Sequence, residues 1–111
     1  MKMIILDGGL GRELKSMGAP FRQPEWSALA LMEGPDFVRT AHDAFILAGA
    51  DVITTNSYAI VPFHIGDVTF QERAGELLNL AGQLARAAAD ASPNKIQVAG
   101  GVPPMFGSYQ P

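Results

Sequence analysis

Asp51-Val52-Ile53-Thr54-Thr55-Asn56-Ser57 is the stretch on which the fold turns. Four β-favouring residues, opened by an acid and released into Asn-Ser, read as a short strand. Upstream lies a helical pattern. Pro35 suits a first helical position and Asp36 a first turn, while Phe37, Val38, Ala41, Phe45 and Ala48 fall on one face before Gly49. Arg39, His42 and Asp43 lie off that stripe, so His42 is expected on the solvated side. Further upstream, Met3-Ile4-Ile5-Leu6 is a continuous apolar run ended by Asp7-Gly8-Gly9, the pattern of a short buried strand. Residues 11–17 are expected as a short helix stopped by Gly18, and residues 19–26, with two prolines, as an irregular loop. Ser27 is expected to cap a helix over 28–33. Downstream, His64 falls in a loop running through Pro62 and Gly66. A long helix follows over 70–91, with Phe70, Ala74, Leu77, Leu78, Ala81, Leu84, Ala85 and Ala88 as its buried stripe. Ser92-Pro93-Asn94 ends it, and residues 96–99 form a third strand running into Gly100-Gly101.

Strand, helix, strand, helix, strand is the pattern of βαβ units on a parallel sheet. The strands recur at a spacing of slightly over forty residues, which fits successive units of a (β/α)8 barrel. Such a barrel needs about 250 residues, and the sequence has 111. The expected fold is therefore α/β, a partial (β/α)8 barrel holding about the first three strands with their helices, with residues 1–111 as one N-terminal fragment.

Composition narrows the functional classes. Hydrophobic residues make up 48% and charged residues 17%, too apolar for a disordered tail. Eight Lys and Arg against eleven Asp and Glu give a net charge of −3 without a basic block, which argues against nucleic acid or an anionic membrane as partner. Every apolar run is too short to span a bilayer or serve as a signal-peptide core, so a cytoplasmic location is expected. Cysteine is absent, which removes disulfides, thiolate nucleophiles and cysteine-based zinc sites.

Parallel α/β architectures gather function where strands end. Asp7-Gly8-Gly9-Leu10-Gly11, Thr54-Thr55-Asn56-Ser57-Tyr58 and Gly100-Gly101-Val102-Pro103-Pro104 occupy those positions. A carboxylate holds an amino group, and glycines expose backbone N–H groups to a carboxylate. Together these clusters suit the two ends of an amino acid. The plainer alternatives are an ordinary Asp-Gly-Gly turn, a simple strand end at Thr54–Ser57, and loop packing for Trp26. Neither a dinucleotide fingerprint nor a phosphate loop is present, and no Ser-His-Asp triad or zinc-binding histidine pair can be nominated.

Several of these motifs resemble one family. Ile5-Leu6-Asp7-Gly8-Gly9-Leu10-Gly11 with Glu13-Leu14, Glu25-Trp26-Ser27-Ala28, Ala48-Gly49-Ala50-Asp51 and Val52-Ile53-Thr54-Thr55-Asn56-Ser57-Tyr58 resemble the N-terminal part of homocysteine S-methyltransferases. Val98-Ala99-Gly100-Gly101-Val102-Pro103-Pro104 resembles that family's third-strand motif, though without its usual serine and glycine. The resemblance implies a (β/α)8 barrel that moves a methyl group onto homocysteine, whose thiol is bound as thiolate by zinc. Three cysteines from later strands hold that zinc, so its ligands are expected beyond Pro111. It further implies that Asp7 holds the homocysteine amino group and that Gly8 and Gly9 line the pocket. Ser27, Thr55 and Asn56 orient the polar end, and Trp26 walls the positively charged donor. The Trp-Ser-Ala stretch is closest to the branch using S-methylmethionine or S-adenosylmethionine. No residue of the chain itself is nominated as catalytic or as a metal ligand. The alternatives are a non-catalytic amino-acid-binding or interaction module with open sheet edges, and a different barrel enzyme sharing only the Asp-Gly-Gly turn.

Overall fold

Backbone pairing at one residue joins the N-terminal segment to the rest of the sheet. The computed structural model describes residues 3–102. In it Leu6 bridges Val52 in parallel, with Asp7 N donating to Val52 O at 3.0 Å and Val52 N to Ile5 O at 3.2 Å. Val52–Thr54 (β1) pairs in turn with Gln97–Ala99 (β2), also parallel, in the register Val52–Gln97, Ile53–Val98 and Thr54–Ala99. The order across the arc is N-terminal segment, β1, β2. Asp51 stitches it together: Oδ2 accepts from Ile5 N at 2.9 Å, its N–H donates to Ile5 O, and its carbonyl accepts from Gln97 N.

The helices are Leu10–Ser16 (α1), Ser27–Glu33 (α2), Pro35–Leu47 (α3), Pro62–Ile65 (α4) and Asp67–Ala91 (α5). Pro35 opens α3 as its sequence suggests. α1 and α3 end in the same way. Gly18 and Gly49 take φ of 80° and 112°, and the following amide bonds back into the last turn, Ala19 N to Leu14 O and Ala50 N to Phe45 O, both at 3.0 Å. That left-handed turn costs glycine little and any other residue more.

Two apolar clusters hold the layers. Leu14, Leu31, Val38, Ala41, Ile60 and Leu77 anchor the helix–helix core. Ala50, Ile53, Ala85, Ala88, Ala89 and Ile96 join α5 to the sheet. Among the described residues, no helix is long and apolar enough to cross a membrane.

Several expectations are corrected. Residues 3–6 are not a buried strand: they make a single bridge, and their side chains are 49–77% exposed. One neighbouring strand covers one edge only, and no layer lies over these side chains among the described residues. Ser27 is not a cap but the first residue of α2; Trp26 holds the cap position and makes no side-chain cap bond. His42 is fully buried, not solvated. His64 lies on α4, also buried, with Nδ1 2.9 Å from Pro24 O. A carbonyl only accepts, so that nitrogen carries the proton. Phe37, Ala48 and Leu78 fall outside the buried stripes. α5 begins at Asp67, ahead of the apolar pattern. Pro103 and Pro104 lie outside the described residues.

Candidate functional site

Asp7 ends the N-terminal segment beside β1, and its carboxylate reaches across to Thr54. Oδ2 accepts from Thr54 N at 2.8 Å and Oδ1 from Thr54 Oγ1 at 3.2 Å. Both oxygens are thereby oriented, and each keeps capacity for a further donor. Gly8 follows where α3 comes close: a Cβ there would meet Phe45 Cε1 at 3.1 Å.

The loop after β1 is tied internally. Ser57 Oγ donates to Gly101 O at 2.7 Å, which uses its one proton, so Thr55 Oγ1 is the donor in their 2.8 Å contact. Thr55 Oγ1 then accepts from Gly101 N at 3.0 Å. The two hydroxyls clamp the backbone following β2. Asn56 is buried and donates through Nδ2 to Ser27 O at 3.1 Å, fixing this loop against the start of α2. Trp26, at φ 52°, packs edge-on against Phe21 with ring centroids 5.9 Å apart. A bulky residue at positive φ is uncommon, and such backbone strain concentrates at binding sites.

These pieces enclose an open concavity of about 680 Å³. All seven residues nominated from the sequence line it: Asp7, Gly8, Gly9, Trp26, Ser27, Thr55 and Asn56. The structure adds residues that sequence reasoning did not nominate. Thr54 fixes Asp7, Phe21 backs Trp26, and Arg12 and Lys15 bring positive charge from α1. Thr54 carried a signal, since it opens the Thr54–Tyr58 cluster at the end of a strand. Phe21 carried none, because a proline-rich loop has no periodicity to place it.

His42 lies outside the lining. Burial pushes its imidazole below the ordinary range; Asp7 and then Asp43 pull the other way, and Arg39 adds to the push. Among the described residues no group of three or more His, Cys, Asp or Glu could hold a metal ion.

A carboxylate pinned at a strand end, glycines beside it and two aromatic rings share one concavity in a parallel α/β protein. The comparisons give the family. The sequence model of homocysteine S-methyltransferases matches residues 4–111, and the chain belongs to that family. It is 33% identical over 98 residues to homocysteine S-methyltransferase 1 of Brassica oleracea var. italica, an alignment covering 87% of this chain and 30% of the relative. It is 37% identical over 87 residues to a selenocysteine methyltransferase of Astragalus bisulcatus, covering 78% and 26%. Among solved structures, the metallated form of the homocysteine methyltransferase MmuM from Escherichia coli superposes with a TM-score of 0.74 at 30% identity, covering 93% of this chain and 38% of that one. The chain thus spans about 30% of the length of the first of these relatives.

Proposed function

We propose that residues 1–111 are the first part of a (β/α)8 barrel that transfers a methyl group from a sulfonium donor, S-methylmethionine or S-adenosylmethionine, to homocysteine. The observation that carries this reading is the gathering of all seven nominated residues around one concavity, with Asp7 held by two bonds from Thr54. In this reading Asp7 takes the substrate ammonium, and its prior bonds to Thr54 spare the carboxylate any reorientation on binding. Gly8 and Gly9 admit the substrate carboxylate close to the backbone. Thr55, its one proton given to Ser57, and Asn56, tied to Ser27 through one of its two amide protons, hold the wall against which the polar end rests. Trp26 and Phe21 form an aromatic surface suited to a sulfonium cation. Transfer is an in-line displacement: the homocysteine thiolate forms the new carbon–sulfur bond as the donor's breaks, and the bonding pair leaves with the donor sulfur. Holding both substrates in line supplies much of the acceleration.

The resemblance also implies zinc. The residues present do not fit it, since the chain has no cysteine and the two histidines lie apart on α3 and α4. In this reading its ligands come from later strands of the barrel.

A second reading, a non-catalytic binding or pairing module, draws on the exposed apolar residues 3–6. Steady-state kinetics of the full-length protein separates the two. Asp7→Asn keeps the shape but loses the charge-assisted bond, and should raise the homocysteine KM roughly tenfold to a few hundredfold. Unchanged homocysteine kinetics in that variant would remove Asp7 from the site. An absence of methyl transfer by the full-length protein would favour the module.

A further inference from the structure

α3 brings one side chain against Gly8 and a second one turn away from it along the helix. Phe45 is one, its ring within 3.1 Å of where a Gly8 Cβ would lie. His42 is the other, three residues earlier on the same helix and therefore its neighbour on one face. His42 has no exposed surface, and among the described residues neither Nδ1 nor Nε2 has a hydrogen-bond partner. Buried polar groups are ordinarily paired, so an imidazole sealed in with both nitrogens unpaired calls for a reason. The charges acting on it are Asp7 from the N-terminal segment, then Asp43 and Arg39 from α3 itself. Asp7 outweighs even Asp43, the next residue in the chain.

We propose that His42 is a positioning residue for Asp7: its neutral ring, sealed behind the strand ends, leaves the carboxylate's charge free for a cationic group in the concavity, and a proton on the ring withdraws that charge. This rests on the reading that Asp7 takes the substrate ammonium. Burial keeps the ring neutral near pH 7, so nothing competes for Asp7 from behind. On acidification the ring becomes a second cation facing the same carboxylate, in surroundings where charges are poorly screened. The coupling is reciprocal: an ammonium on Asp7 makes the ring harder to protonate.

The test compares the full-length enzyme with its His42→Gln variant from pH 7.5 down through the midpoint at which the wild-type ring takes its proton. Acid also hinders thiolate formation, but equally in both proteins. The wild-type homocysteine KM should therefore rise about tenfold more than the variant's over this range. A merely structural histidine would change stability or kcat and leave the two KM profiles parallel, which would overturn the proposal. A second measurement needs no activity. The His42 ring is titrated by NMR in the wild type and in Asp7→Asn; loss of the carboxylate should move the midpoint to lower pH. An unmoved midpoint overturns the proposal. A moved midpoint without homocysteine turnover supports the coupling and places the failure in the functional reading.

Discussion

Thr54 and His42 meet the demands of polar groups in opposite ways. Thr54 satisfies the Asp7 carboxylate with a backbone and a side-chain donor, whereas His42 is buried with no hydrogen-bond partner among the described residues. The stability consequence of the second is testable. The folded-state pKa of His42 is lowered, so below about pH 6.5 the unfolded chain binds a proton that the folded chain resists. Stability on this account is full above that pH and is lost as acid is added, down to the folded pKa. Melting temperatures between pH 7.5 and 5 should fall in the wild type and fall less in His42→Leu. At neutral pH that variant should hold or gain stability, because removing an unsatisfied buried polar group recovers roughly 1–3 kcal/mol, less the loss in packing. A wild-type melting temperature flat across this range would contradict the assignment. Asp7 and its glycines were legible in the sequence because strand ends announce themselves by composition. His42 is polar, yet it stands four residues after Val38 and three before Phe45, the spacing of one helix face, and that geometry prevails over its polarity. Trp26 displaced Ser27 from the cap through a positive φ set by the preceding loop, and no local pattern encodes that.

At the scale of elements, what is legible is periodicity, and what escapes it is whatever has none. α5 begins at Asp67 because its first turn, Asp67-Val68-Thr69, is polar or exposed and carries no stripe to read. Its buried face, Leu77, Ala81, Ala85, Ala88 and Ala89, follows the spacing of a straight helix, leaving Leu78 outside it at 45% exposure. Four of these five residues are alanine, so α5 packs through small side chains against its neighbours. Ala85 is fully buried in the cluster with Ala50, Ile53 and Ile96 between α5 and the sheet. Ala85→Leu should therefore destabilise by overpacking, about 1–3 kcal/mol. Leu77→Ala should instead leave a cavity and cost roughly 2–5 kcal/mol. Denaturant unfolding of both variants checks the pair. A neutral Ala85→Leu would mean that α5 stands further from the sheet than the structure has it.

Among the described residues, the sheet has an open side. The N-terminal segment pairs with β1 through Ile5 O and Asp7 N, so the Leu6 N–H and C=O point the other way, as alternation along a strand requires. The same segment exposes Met3, Ile4, Ile5 and Leu6 together. A flat apolar edge with free backbone groups is a template for another strand. In the proposed barrel that partner is intramolecular, which agrees with a chain covering about 30% of its relatives' length. For the 111-residue chain by itself, the same surface is available to a second copy. Sedimentation should then show association that rises with protein concentration, and Ile4→Lys should suppress it, since a lysine on an edge strand discourages pairing. Ile4 is 66% exposed, so the substitution removes little packing from the core. A melting curve unchanged by Ile4→Lys would confirm that the effect lies at the edge. A monodisperse wild-type monomer at all concentrations would mean that this edge is closed in solution, and the open-arc description of the sheet would have to be abandoned.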